Sequence, residues 1–268
     1  MADQNPTALR PSQSLPSPPL SRPRPSHGAA LSGFVRRHGR FVAVLGILLA
    51  LLVAVNVIRE FGPAGAGLVV GPAAAAALLV LCRRSGVTWA DLGLSRRTWA
   101  RGALIGLAAL VAVAAVYAVA AAVPLTRTAF LDTRYQLSAG RALFTALVVI
   151  PLGTVLVEEV AFRGAVQGLL TRHHGAAWGL GVSAALFGAW HILPSLGLAG
   201  ANPAVGGLTG GGANAQVLAV LGAVVFTTFA GVLLGELRRR SGSLLASAGL
   251  HWAVNGVGVL VAALLRVT

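Results

Sequence analysis

Runs of apolar residues, broken by short stretches of Arg, Gly and Pro, dominate this chain. Crossing the hydrocarbon core of a bilayer takes roughly 20 residues of helix. Seven runs of about that length can be drawn: 41–58, 64–82, 102–123, 142–170, 177–194, 215–237 and 243–265. The fourth is long enough to tilt or to project beyond the bilayer. The pattern predicts an all-α, polytopic transmembrane helix bundle. Residues 1–33 break it: they are rich in Pro and Ser with scattered Arg. Such a segment buries too little apolar surface to offset its ordering entropy, so a disordered tail is expected. The first apolar run lies far from Met1, behind the basic cluster Arg36, Arg37, His38 and Arg40. It reads as a signal anchor, not a cleaved signal peptide. The expected organisation is a tail over 1–33, spans one to three with an intervening loop over 34–139, and a transmembrane core over 140–268.

Composition sharpens this picture. Apolar residues make up 56% of the 268, charged residues only 10%, and mean hydropathy is +0.79. A soluble domain carries about 25% charged residues, so lipid is the main solvent. The formal charge of +14 would suit a nucleic-acid binder, but there is no soluble basic domain to carry that role. All 21 basic residues are Arg, and most lie in the tail or flank apolar runs, as topogenic charge does. Arg36, Arg37 and Arg40, then Arg83, Arg84, Arg96, Arg97 and Arg101, then Arg172, then Arg238, Arg239 and Arg240 fall on one side of a seven-span chain. Arg59, Arg127, Arg134, Arg141 and Arg266 fall on the other. The excess places the N-terminus in the cytoplasm and the C-terminus outside. The single Cys82 excludes an intrachain disulfide framework and a Cys-rich metal site. An Ala/Gly/Val/Leu/Arg-dominated chain without Lys suits a GC-rich bacterial genome, and hence a bacterial plasma membrane. The small-residue pairs Gly102/Gly106, Gly164/Gly168 and Gly231/Gly235 would let helices approach closely.

Against this background a few polar residues stand out. The chain has seven acids, and two adjacent ones, Glu158 and Glu159, sit inside the fourth run. A carboxylate at that depth costs several kcal/mol unless paired or protonated, and marks a functional site by default. Glu159 and Arg163 are spaced i, i+4 in the favourable order for an ion pair. Glu158 is turned about 100° away and must face something else. Glu159–Arg163 therefore reads as structural support, with Glu158 free for chemistry. The fifth run holds Phe187-Gly188-Ala189-Trp190-His191. The seventh holds His251-Trp252-Ala253-Val254-Asn255, with His and Asn on one helical face. Each alone could be a packing residue or interhelical glue. Jointly they place imidazole, carboxylate and amide in three of the last four spans, and polar groups in lipid seek each other. One shared pocket is the simplest arrangement. Glu236, one turn from Arg239 and Arg240, reads as an interfacial ion pair. His173 and His174 read as solvated, and Asn56 and Tyr117 as isolated.

In these residues the chain resembles the CPBP family, the CAAX proteases and bacteriocin-processing enzymes also called the ABI family. Its pattern is Glu-Glu-x-x-x-Arg, then Phe-x-x-x-His, then His-x-x-x-Asn. Here it is matched in order by Glu158-Glu159-Val160-Ala161-Phe162-Arg163, by Phe187 to His191, and by His251 to Asn255. Ser241-Gly242-Ser243-Leu244-Leu245 and Asp91-Leu92-Gly93-Leu94 are also similar to the family. The resemblance covers roughly residues 140–260. It implies an intramembrane endopeptidase in which Glu158 is the general base that activates water and His191 assists at the same water or at a metal. His251 and Asn255 would bind the carbonyl oxygen as it becomes an oxyanion, while Glu159 and Arg163 hold the motif helix. The substrate implied is a membrane-associated peptide or protein. The family is commonly called metalloprotease, so a divalent metal such as zinc held by Glu158, His191 and His251 is one expectation; a metal-free glutamate mechanism stays open, as does the oligomeric state.

Three alternatives compete with this reading. Thr154 or Ser247, each one turn before a motif residue, could act as a nucleophile through an acyl-enzyme. The chain could be a non-catalytic scaffold or immunity factor of the same fold. It could be a proton-coupled transporter using Glu and His as a relay, although an internal repeat with matching broken helices is not evident.

Overall fold

A computed structural model describes residues 27–210 and 213–266. It divides into two compact units, Met1–Gly39 and Arg40–Thr268. In the first, the described part is helical from His27, so 27–33 of the expected tail form helix; residues 1–26 lie outside the described residues. The second unit holds the bundle.

Helix α1 spans His27–Phe61 and α2 spans Gly67–Arg84. Helix α3 is Trp99–Ala122, and α4 is the long Ala139–His174. Helix α5 is Ala176–Trp190, α6 is Ala213–Ser241 and α7 is Leu244–Leu264. Six helices are long and apolar enough to cross a membrane, or seven if α5 is joined to Leu193–Ala201 across a 45° bend. No strand occurs among the described residues. The hydropathy pattern thus located every span, but the fifth is broken. Helix α5 stops at Trp190, just ahead of Pro194, and the Ser195 N–H and hydroxyl both donate to the carbonyl of His191 (3.1 and 2.6 Å).

Helix α4 is the centre of the unit. Every residue from Val157 to Leu170 is buried, with α2, α5 and α7 packed around it. Its path is not uniformly α-helical: widened turns run over Thr145–Val155 and Glu159–Val166. The first contains Pro151, which has no N–H to give and crowds the preceding turn. Widened turns of this kind accommodate such a residue and are frequent at functional sites. Helix α3 is peripheral, with Leu104, Leu107, Val111, Val116 and Val119 exposed along it; in a bilayer these meet lipid.

Two glycine contacts fix how elements approach. At the α3–α7 crossing, a Cβ on Gly249 would lie 2.6 Å from the Cα of Gly106, so neither backbone can yield. Gly249→Val is expected to cost about 1–3 kcal/mol by overpacking, read as a lower thermal unfolding midpoint in detergent. A Cβ on Gly168 would meet the Asp91 carbonyl at 2.5 Å. The Gly164/Gly168 pair therefore receives the loop between α2 and α3, where the sequence suggested another helix. That loop is clasped from several sides. Arg238 donates to the Asp91 carbonyl, and Leu244 N–H donates to the Gly93 carbonyl at 2.8 Å. Burial opposes ionisation of Asp91, but hydrogen bonds from Thr88 and the Arg172 charge outweigh it and hold its carboxyl below the usual range. On the same side, Ser243 caps α7 by accepting from Leu245 N–H, and Glu236 pairs with Arg239 and Arg240 as expected.

Candidate functional site

The site is built on the buried middle of α4. An α-helical turn, Leu156–Glu158, gives way there to the widened Glu159–Val166, and the two adjacent carboxylates diverge. Glu159 Oε1 accepts from His251 Nδ1 at 2.9 Å and faces Arg163 Nη1 at 3.3 Å. Glu158 Oε1 accepts from Arg59 Nη1 and from the Trp190 indole Nε1, each at 3.0 Å. Glu158 Oε2 has no hydrogen-bond partner and lies 3.7 Å from His251 Nε2. His251 thus sits between the two acids, one ring nitrogen toward each. A carboxylate only accepts, so its Nδ1 carries the proton given to Glu159.

His191 occupies the end of α5, at the break rather than inside a span. Its Nδ1 donates to the Phe187 carbonyl at 2.7 Å, which fixes the tautomer and leaves Nε2 as a free acceptor. Phe187 organises the neighbourhood. Its ring centroid is 4.6 Å from that of His191 and 5.8 Å from that of His251, and the Arg163 guanidinium stacks 3.8 Å from it. His191 also lies within electrostatic reach of Glu158 and His251. Glu158, Glu159, Arg163, His191 and His251 are therefore gathered in one place. Asn255 is not joined to them. It is half-buried one turn beyond His251, in the widened turn Ala253–Val257, with no hydrogen bond to any of the five.

Charge balance explains how lipid-buried acids are tolerated. Glu158, Glu159 and Arg163 are each at most 2% exposed. An unpaired ion there would cost several kcal/mol. Two carboxylates face two guanidiniums, Arg163 and Arg59, and the set is neutral without invoking a charged imidazole.

The sequence reading missed three contributors. Arg59 looked like a topogenic charge beyond span one, yet it turns back into the bundle to reach Glu158, and its Nη2 donates to Thr154 Oγ1 at 3.0 Å. Asn56, read as isolated, donates from Nδ2 to the Trp190 carbonyl at 2.8 Å. Trp190 was given no role. The available signal was the spacing of Asn56 and Arg59, which share a face of α1. The structure also widens the part of Glu159, which holds His251 as well as Arg163. Of the two candidate nucleophiles, Thr154 is held by Arg59, and Ser247 donates to the Leu244 carbonyl at 3.1 Å. Neither hydroxyl is hydrogen-bonded to a histidine.

Among the described residues no three His, Cys, Asp or Glu side chains group as a metal-holding cluster. Arg59 and Trp190 occupy one oxygen of Glu158, and a guanidinium beside a carboxylate takes the electrostatic role a cation would have. The side chains as arranged do not fit a metal.

Fold and site together define a class: a polytopic helical membrane protein with ion-paired acids and two imidazoles gathered inside its bundle. Residues 140–257, a little under half of the chain, match the model of the Rce1-like family, the type II CAAX prenyl endopeptidases, so this segment is similar to a family of membrane endopeptidases. The matched segment takes in all three motifs and leaves out Asn56 and Arg59. No curated protein and no solved structure matches the chain.

Proposed function

We propose that this protein hydrolyses a peptide bond of a membrane-associated peptide with a water activated by Glu158. The observation that carries the reading is the asymmetry of that carboxylate. One oxygen is tied down by two donors, and the other is buried, unpartnered and 3.7 Å from an imidazole nitrogen. A water bound at Oε2 gives that oxygen its proton as it attacks the carbonyl carbon. The Nε2 of His191 accepts from the same water and aims it. His251, entering the bound complex with a solvent-derived proton on Nε2 and Glu159 against Nδ1, donates to the developing oxyanion, and the Asn255 amide is the second donor. When the C–N bond breaks, the proton on Glu158 passes to the leaving amine. The products are a carboxylate and an amine, and no covalent enzyme intermediate forms.

The natural first probe is an internally quenched peptide carrying a farnesylated cysteine close to its C-terminus, delivered in lipid vesicles beside the same peptide without the lipid. Purified protein is expected to cleave at least the lipidated form, and in ¹⁸O-labelled water to place one label in the new carboxyl. Cleavage is expected to survive dialysis against a chelator. Loss on chelation with recovery on adding zinc would overturn the metal-free route. A preparation that cleaves neither peptide would overturn the hydrolase reading. The setting proposed is a bacterial plasma membrane, with the N-terminus cytoplasmic and the C-terminus outside.

A further inference from the structure

Arg59 lies outside the family-matched segment, on the helix farthest in sequence from the motifs, and the family pattern gives it no role. We propose that Arg59 is a positioning residue for the reaction: with the Trp190 indole it holds Oε1 of Glu158 and so presents Oε2 to the water. The inference rests on the hydrolase reading and deepens it, by making α1 part of the working site.

Geometry carries the argument. The guanidinium is forked, one nitrogen on Glu158 and the other on Thr154, both at 3.0 Å. Thr154 stands one turn before Glu158 on α4, so a single planar group spans that turn and fixes the carboxylate relative to its own helix. Arg suits this task because its donors are rigidly splayed. Trp190 completes the clamp. Its N–H meets the same carboxylate oxygen, its ring centroid lies 5.7 Å from the Arg59 guanidinium, and its carbonyl accepts from Asn56, one turn earlier on α1. Helix α1 thus grips α5 through Asn56 and α4 through Arg59 at adjacent points, beside the apolar packing of Leu48, Leu52 and Val55.

Charge gives a second argument. Without Arg59, two buried acids would share Arg163, whose nearest carboxylate contact is to Glu159. An opposite charge within hydrogen-bond reach favours the ionised form of a carboxyl, which is the form a base requires. The charged and titratable groups facing Glu158 are Arg59 from α1, Glu159 and Arg163 from α4, His191 after α5 and His251 from α7. Of these, Arg59 alone is a cation bonded to it. A purely topogenic Arg would point to the membrane surface. Arg59 instead keeps its side chain only 21% exposed, on the wall of a cavity of about 400 Å³ bounded by Thr154, Gly153 and residues 62–68.

The test compares wild type with Arg59→Gln, Arg59→Lys and, as a control for flanking charge on the same side, Arg141→Gln, using the lipidated peptide. Misplacing a reacting group by about 1 Å can cost 10²-fold. Arg59→Gln is therefore expected to lower kcat about 10²-fold with KM changed less than about 3-fold. Arg59→Lys should keep most of the charge and lose the fork, falling in between, and Arg141→Gln should match wild type. Added guanidinium should restore part of the Arg59→Gln rate. A readout free of substrate is the infrared carboxyl band assigned by difference against Glu158→Gln: carboxylate in wild type, protonated acid in Arg59→Gln. Equal kcat in Arg59→Gln, or an unchanged band, overturns the inference, and a raised kcat overturns it by showing a restraint on the base. If Arg59→Gln fails to fold, the Lys variant and its band decide by the same criteria. Activity lost in Glu158→Gln but kept in Arg59→Gln would sink this inference and leave the hydrolase reading standing; equal activity in wild type and Glu158→Gln would sink the reading itself.

Discussion

Glu158→Gln is expected to lower kcat about 10³-fold, within the usual range for removing a general base, in a protein that still folds. The substitution keeps shape and one oxygen. If that oxygen takes the Oε1 position, the bonds from Arg59 and Trp190 persist. The position of Oε2 becomes an amide nitrogen, which donates and cannot accept the water's proton. What is lost is the proton transfer and the charge that drives it. Arg59 then has no counter-ion, but it borders an open cavity where water can solvate it, so the unfolding midpoint should shift little. Glu158→Asp is a different test. It keeps the charge and withdraws it by one methylene, far enough to break the clamp at Oε1, and about a 10²-fold loss is expected. Steady-state cleavage of the lipidated peptide, with thermal unfolding in the same detergent, separates the two. A Gln variant at wild-type rate would remove Glu158 from the mechanism.

The spans and the motif residues were legible in the sequence for a simple physical reason: both are signals local to one stretch of chain. A run of 20 apolar residues announces a membrane helix wherever it packs, and Glu158, Glu159 and Arg163 announce expense wherever they are buried. The Glu159–Arg163 pair followed from spacing on a single helix and is found at 3.3 Å. What could not be read was which helix meets which. Arg59 and Glu158 are 99 residues apart, and an Arg at a helix end has a sufficient local explanation as a topogenic charge. Only Asn56, three residues earlier on the same helix face, sets it apart from Arg141 in the sequence. The His251–Asn255 spacing assumed an α-helix, but a widened turn begins at Ala253. The geometric link between those two side chains was thus a property of backbone that periodicity does not encode. The break after Trp190 was hidden in the same way, since Ile192, Leu193 and Leu196 carry the apolar pattern past the point where the helix ends.

The other large effect is expected at Arg163, where stability and activity should come apart. Its side chain is 1% exposed and balances Glu159 inside the bundle. Removing one member of a buried pair costs about 3–5 kcal/mol, because the partner charge is left uncompensated. Arg163→Met should therefore unfold at a markedly lower temperature in detergent and lose most of its activity. Adding Glu159→Gln removes the orphaned charge. Replacing both members of a buried pair with neutral groups of similar volume is often close to neutral for stability, so the double variant should regain most of the lost unfolding temperature. It should not regain the rate. Glu159 also holds His251 through Nδ1 at 2.9 Å, and an amide there can accept that hydrogen bond but cannot balance the charge the imidazole carries as it donates to the oxyanion. A double variant that recovers both stability and rate would mean that Glu159 serves the helix alone. One that recovers stability while kcat stays about 10²-fold down would place Glu159 in the reaction through His251.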